Sequence, residues 1–330
     1  MNLQLKYVSL IIKAAIKRLP FLNGDKIMKR IKMAKQLREI LKQKSNETFI
    51  IKQINQGYYG YIYMIINADN GKKFIAKIYK NDGYAKREQA QLEMLRKYAL
   101  VHVPEIISIS LKTQNNFFDV IFMEFINGVD GSKIKLNSEN EKTKLSNEII
   151  DNLLAIHEIS NETGFGDFVL GEYFNTWEEY YKKQIDQIYC GVQKRHIRVS
   201  RSVIKTVDTL YQSYDYIFND KVKTNSLIHG DYNLWNLIVD PNTNKLIGMI
   251  DPMGSSFADR ELELFQLENA NGKEYHLLEN YRSQIQLSDN FELKNFYYRF
   301  WDDLRHFVNA GYYDNKLLKH YGESAIELLQ

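Results

Sequence analysis

The run LIHGDYNLWNLIVD, residues 227–240, constrains this chain more than any other. Its ends are apolar and call for burial. Between them stand His229, Asp231, Asn233 and Asn236, groups that are costly to bury without partners. Chains tolerate such a conflict where polar groups serve a site. The spacing is H-G-D-x-x-x-x-N, and fifteen residues after Asn236 comes Asp251, in GMIDPMG. Two short strands, 236–240 and 245–250, flank the turn DPNTN and would bring Asn236 and Asp251 together. An Asn oxygen beside an Asp carboxylate is a pair of hard ligands suited to Mg²⁺. Asp231, on the loop leading in, is placed to accept a proton from a substrate hydroxyl.

Upstream, the hydrophobic period shifts from helix to strand. TFIIKQI, YIYMIINA and KKFIAKIY are short runs rich in Ile, Tyr and Phe, and ADNG (68–71) signals a hairpin. Residues 84–98 read as a helix carrying Leu92, Leu95 and Ala99 on one stripe, stopped by Pro104. EIISISLK and FFDVIFMEF supply two more strands. Helices are expected over 140–157, 175–189 and 195–218, with a helical remainder from 259. The fold class is therefore α+β: a five-stranded antiparallel lobe over 46–127, then a mainly helical lobe over 128–330, joined near Asn127 and Gly128. A cleft between such lobes is a favoured ligand site.

Phosphoryl transfer also needs charge neutralised at the nucleotide. Lys77 lies on the third strand, and Glu88, eleven residues on, sits early in the following helix. A Lys–Glu pair would hold the ammonium on the phosphates, with Glu93 the rival partner. Gly57 and Gly60 lie between two strands, either as a loop that lets backbone N–H groups approach phosphates or as an ordinary hairpin turn. Backbone groups of Glu124 and Ile126, in FMEFING, are candidates for an adenine edge.

The order glycine loop, Lys77, Glu88, hinge, H-G-D-x-x-x-x-N and Asp251 resembles the protein-kinase-like phosphotransferases of the aminoglycoside phosphotransferase and choline kinase group. The resemblance covers roughly 46–270. It implies the bilobal kinase fold, ATP, Mg²⁺ and a small-molecule acceptor. It carries over Asp231 as catalytic base, Asn236 and Asp251 as metal ligands, and Lys77 with Glu88 as the phosphate-binding pair. Three segments are most similar to fructosamine kinases: LLAIHEISNETGFGD (153–167), FADRELELFQL (257–267) and FYYRFWDDLRHFVNAGYYDNKLL (296–318). That family usually carries Leu-Trp after the H-G-D aspartate, whereas here Tyr232 and Asn233 stand there and the Trp is Trp235. A ketoamine or amino sugar heads the acceptors, followed by an aminoglycoside and a cell-envelope saccharide. A non-catalytic nucleotide-binding scaffold is the rival outside enzymes. A protein kinase is disfavoured, since no A-P-E segment follows Asp251.

Other polar residues have plainer readings. His229 is expected to bond the backbone of its own loop, His157 to pack at a helix end, and Asp240 and Asn242 to form a turn. Asp259, Glu261, Glu263, Asp302 and Asp303 either line an acceptor pocket or form a solvated helix face. Trp301 and Tyr312 either stack on a sugar or pack in the core.

Charge divides the chain. Residues 1–45 hold 12 Lys/Arg against 2 Asp/Glu, residues 46–127 hold 10 against 8, and residues 128–330 hold 22 against 31. The arm carries Leu5, Val8, Ile12, Ile16 and Leu19 at helical spacing, with Lys6, Lys13 and Lys17 on another face. A helix packed on the body, an interfacial helix on anionic lipid and a signal peptide are its readings, the last opposed by Lys13 within the apolar run. Nothing resembles a nucleic-acid reader, and the oligomeric state is left open. One cysteine, Cys190, excludes an internal disulfide and a cysteine-based zinc site and fits a reducing cytoplasm. No apolar run is long enough to span a bilayer.

Overall fold

A computed structural model describes residues 24–57, 59–114, 116–194, 200–311 and 314–330. The amphipathic stretch from Leu5 to Leu19 and Tyr312 lie outside them. The described residues form two compact units, one within 24–85 and 107–123, the other within 86–106 and 124–330. No described helix is long and apolar enough to cross a membrane.

The first unit is a sheet backed by a helix. Strands β1 (Phe49–Gln56), β2 (Gly60–Asn67), β3 (Lys73–Tyr79), β4 (Ile106–Ser110) and β5 (Val120–Glu124) lie in the order β1-β2-β3-β5-β4. The pairs β1–β2 and β2–β3 are antiparallel, with Ile62 opposite Lys77. At the β2–β3 turn the Asn67 carboxamide oxygen accepts from the N–H groups of Asp69 and Asn70, and Gly71 takes φ +72°. Strand alternation puts Tyr61, Tyr63, Ile65, Ala76 and Ile78 on one face. Helix α1 (Gly24–Lys44) covers that face with Met33, Leu37, Ile40 and Leu41. Gln36 fixes it, donating to Phe118 O at 2.8 Å and accepting from Phe117 N–H at 3.0 Å. The segment 33–41, basic by composition, is thus part of a hydrophobic core.

Helix α2 (Tyr84–Arg96) runs from the first unit into the second. The second unit continues with β6 (Val129–Asp130), α3 (Glu139–His157), β7 (Phe165–Asp167), β8 (Glu172–Phe174), α4 (Trp177–Lys194), α5 (Arg201–Gln212) and the single turn α6 (Tyr214–Ile217). Of the helix expected over 195–218, residues 195–199 lie outside the described residues, and the rest breaks at Ser213, whose N–H bonds back to Thr209 O. Strands β9 (Ser226–Leu227), β10 (Leu237–Val239), β11 (Leu246–Met249) and β12 (Phe257–Ala258) follow. They join the sheets β11-β10-β6 and β8-β7-β12-β9, whose two- and three-residue strands are too short to show alternation. Residue 259 onward opens as a 3-10 segment, Arg260–Glu268, before α7 (Leu277–Gln284), α8 (Phe291–Ala310) and α9 (Asn315–Glu327). Helices α4, α5, α8 and α9 close over an aromatic core in which Trp177 stacks on Tyr181 at 4.9 Å. Trp301 is core, 1% exposed.

Candidate active site

The loop 228–236 hangs between β9, which pairs with β12, and β10, which pairs with β11 and β6. Leu227, Ile228, Leu237 and Val239 are buried and pin both ends. His229 is fully buried inside the loop. Its Nδ1 accepts from Asp231 N–H at 3.3 Å and its Nε2 donates to Ile250 O at 3.2 Å. Burial pushes its pKa down, which favours the neutral ring these bonds require. His229 thus ties the Asp231 end of the loop to the residue before Asp251.

A second anchor comes from Glu263, on the 3-10 segment. Its carboxylate accepts from His229 N–H at 3.1 Å and Gly230 N–H at 2.7 Å. It also pairs with His157 Nε2 at 2.8 Å, and His157 Nδ1 meets Tyr281 OH at 2.8 Å. Burial works to raise the pKa of Glu263, but His157 and these amides outweigh it and hold the carboxyl below its ordinary value. Gly230 itself takes φ +83°, and a Cβ there would lie 2.4 Å from Met253 O. Only glycine fits this position.

Asp231 is held at both carboxylate oxygens. Oδ1 accepts from Asn233 Nδ2 at 2.6 Å and Oδ2 from Asn236 Nδ2 at 2.8 Å. Burial, then the negative charge of Asp251, raises its pKa to about 7, while Asn236 works to lower it. Asn236 Nδ2 also donates to Asp231 O at 2.9 Å, so its amide nitrogen faces Asp231 and its Oδ1 faces away. Met249 pairs with Leu237, and Ile250 N–H donates to Asn236 O at 2.9 Å, so the hairpin brings Asn236 beside the segment leading to Asp251. Asp251 adopts a left-handed φ of 57°, a conformation that costs a non-glycine residue about 1 kcal/mol or more and clusters at functional sites. Among the described residues no group of three or more His, Cys, Asp or Glu could hold a metal. An Asn oxygen and an Asp carboxylate, completed by water and phosphate oxygens, instead match the habit of Mg²⁺. A dication there would offset the charge of Asp251 and lower the pKa of Asp231.

The remaining expected residues are placed as follows. Lys77 is buried on β3 with Nζ 5.6 Å from the Tyr79 ring centre. Glu88 is buried on α2, in the part that belongs to the second unit. Gly57 and Gly60 close the β1–β2 hairpin through Gly57 N–H to Gly60 O at 3.0 Å. A Cβ on Gly60 would meet Ile78 O at 2.6 Å, so this glycine serves close strand packing, whereas Gly57 has open space. The Glu124 side chain accepts from His102 Nε2 and Glu105 N–H, and Glu124 N–H donates to Glu105 O. Ile126 O accepts from Gly128 N–H at 3.0 Å.

Of the acids considered above, Asp259, Glu261 and Glu263 do not form a solvated face. Asp259 and Glu261 are buried against Lys294, and Glu263 against His157 and the loop amides. Of the three positions that depart from the fructosamine kinase pattern, Tyr232 is core, its OH donating to Ile149 O at 2.8 Å, and Asn233 holds Asp231. Trp235 is 58% exposed. Sequence reasoning also passed over Gln91, a buried α2 side chain whose amide bridges Pro252 O at 2.8 Å and Ser255 N–H at 3.1 Å, just past Asp251. Its signal was one polar residue beside Leu92 on the apolar side of the helix.

Residues 50–280 match the model of the APH phosphotransferase enzyme family. The chain is 23% identical over 252 residues to the uncharacterized protein YcbJ of Escherichia coli strain K12, covering 75% of this chain and 82% of that one. Among solved structures it is similar to a putative fructosamine-3-kinase from Haemophilus somnus 129PT, with a TM-score of 0.66 at 14% identity over 91% of this chain and 96% of that one. It is also similar to a thermostable aminoglycoside phosphotransferase APH(4)-Ia in complex with ADP and hygromycin B, with a TM-score of 0.65 at 14% identity over 84% and 94% of the two chains. A GDP complex of aminoglycoside 2'-phosphotransferase-IIIa gives a TM-score of 0.61 at 17% identity over 92% and 98%. These structures share the α+β kinase-like fold. With the family model spanning well over half its length, the chain belongs to the APH phosphotransferase family.

Proposed function

We propose that this protein transfers the γ-phosphoryl group of ATP to a hydroxyl of a small molecule, a ketoamine, an amino sugar or a related compound. The observation that carries this is the fixing of Asp231 by Asn233 and Asn236 at its two oxygens, with Asp251 at electrostatic range. In the reaction Asp231 takes the proton of the acceptor hydroxyl. That oxygen attacks the γ-phosphorus in line, the bridging bond to the β-phosphate breaks, and ADP leaves. Asn236 Oδ1 and Asp251 would hold Mg²⁺, which supplies charge neutralisation at the phosphates. Lys77 and the glycines at 57 and 60 are the groups we assign to the phosphates. Glu124 N–H and Ile126 O are engaged within the protein, so adenine would use Glu124 O and Ile126 N–H.

The positioning of Asp231 is what separates this reading from a nucleotide-binding scaffold, which has no need of an oriented base. The test is Asp231→Asn, with ADP release measured against a panel of sugars, glycated amino acids and aminoglycosides. Loss of the base is expected to lower turnover by about 10²–10⁴-fold while leaving nucleotide affinity within about twofold. Unchanged turnover would remove Asp231 from the mechanism.

A further inference from the structure

Asp251 carries two backbone costs at once. Its φ of 57° is left-handed, and the residue after it is Pro252. A proline pushes the residue before it toward extended conformations, so Asp251 departs from its preference twice. A conformation of this kind persists only where the surroundings over-determine it. The upstream hold is already described. Ile250 N–H donates to Asn236 O at 2.9 Å, and Ile250 O accepts from His229 Nε2 at 3.2 Å.

The downstream hold comes from a residue far away in sequence. Gln91, 1% exposed on α2, lies in the second unit, as does the whole segment 228–256. A buried carboxamide is costly unless both its ends are bonded. Gln91 Nε2 donates to Pro252 O at 2.8 Å, and its Oε1 accepts from Ser255 N–H at 3.1 Å. In a four-residue turn the first carbonyl and the fourth N–H commonly close on each other. Over Pro252–Ser255, where Gly254 takes φ +90°, these two groups close on the Gln91 carboxamide instead. One side chain of α2 therefore holds the turn open at a fixed width. The far end of the turn is fixed as well. Ser255 Oγ donates to Ile228 O at 2.6 Å, and Ile228 N–H donates to Ser256 O at 3.0 Å. An apolar residue at 91 would pack the helix without the cost of a buried amide, so what the glutamine adds is those two bonds.

Resting on the phosphotransferase reading above, we propose that Gln91 is a positioning residue for the metal site, fixing the downstream end of Asp251 as His229 and Asn236 fix its upstream end. The carboxylate that would share a cation with Asn236 Oδ1 is aimed by the backbone between those two holds. Gln91 acts through Pro252 and Ser255 and needs no contact with the metal or the phosphates. It belongs with the outer partners that orient a ligand and set metal affinity.

The test is titration of Mn²⁺ into full-length protein with ADP, free Mn²⁺ being read by electron paramagnetic resonance. Mn²⁺ suits the same oxygen ligands as Mg²⁺. Gln91→Met keeps the length of the side chain and removes both bonds, and it is expected to weaken Mn²⁺ about tenfold. Tyr214→Phe removes the bond from Tyr214 OH to Glu178 O at 2.7 Å, outside the residues that hold Asp231 or Asp251. It controls for general loosening and should stay within about twofold of wild type. Gln91→Glu supplies a rescue, and it decides the matter where Gln91→Met does not fold. Ionised, it turns an acceptor toward Pro252 O; protonated, its O–H restores the donor. Burial raises a carboxyl pKa, so its loss of Mn²⁺ affinity, taken against wild type at the same pH, is expected to be smaller at pH 6 than at pH 8. Three outcomes overturn the inference alone: Gln91→Met at wild-type affinity, Tyr214→Phe losing as much as Gln91→Met, or Gln91→Glu no closer to wild type at pH 6 than at pH 8. Wild type that takes up no Mn²⁺ with ADP sinks the phosphotransferase reading, and the inference with it.

Discussion

The loop 228–236 and the hairpin turn at 57–60 both connect strands and both carry residues expected to serve phosphate chemistry. They are held in opposite ways. The loop has Glu263, His229, Asn233 and Asn236 bonding its backbone or its aspartate, with Gly230 jammed against Met253. Among the described residues the hairpin has its own closing bond, Lys80 N–H to Tyr59 O at 2.8 Å, Lys80 Nζ to Gly57 O at 2.7 Å and the Tyr59 ring 5.3 Å from that of Tyr84. On the proposed function, a group that must accept a proton at one point in space needs redundant support, whereas a turn that is to follow a phosphate needs less.

This contrast can be broken by substitution. Gly230→Ala should have the largest effect, because a left-handed backbone and a collision with Met253 O act together. A loss of about 3 kcal/mol or more is expected in thermal unfolding, with activity abolished. Glu263→Gln comes next. The new NH₂ faces N–H donors, so about 2–3 kcal/mol should be lost in denaturant unfolding, and turnover should fall even where the protein is fully folded.

Asp231 gives a smaller effect of opposite sign. A folded-state pKa raised from 3.8 to about 7 means stability that is fully present below pH 3.8 and lost as pH rises through 7. The stability lost between pH 4 and pH 8 should therefore be about 1–2 kcal/mol larger for metal-free wild type than for metal-free Asp231→Asn, by calorimetry at both values. Adding Mg²⁺ with ADP should narrow the gap.

The hairpin glycines should give the mildest results and differ from each other. Gly60→Ala forces β2 away from Ile78 O and is expected to cost about 1–2 kcal/mol. Gly57→Ala has open space and should stay within about 0.5 kcal/mol in the same melt. A large effect at Gly57 would mean the hairpin is as tightly specified as the loop.

The same contrast explains what could be read from the sequence. The first three strands, the helix after them and the 236–250 hairpin were legible, because alternation and turn chemistry are local signals. So was the bonding of His229 to its own loop. Glu263 was not, because an acid two residues from another acid looks the same whether it is solvated or buried, and only partners distant in sequence decide it. Asn233 was legible as a departure from a pattern, but its bond to Asp231 depends on how the loop turns. In the helix Gly24–Lys44 the many lysines masked the apolar side that packs on the sheet.

That packing bears on how the chain can be cut. Met33, Leu37, Ile40 and Leu41 complete the core of the five-stranded sheet, so a truncation at residue 45 would expose a sheet face and yield an aggregating product rather than a folded protein without its arm. A cut at residue 23 spares every one of those contacts. Deletions aimed at the basic N-terminal residues should stop there, where any change in behaviour would report on those residues themselves.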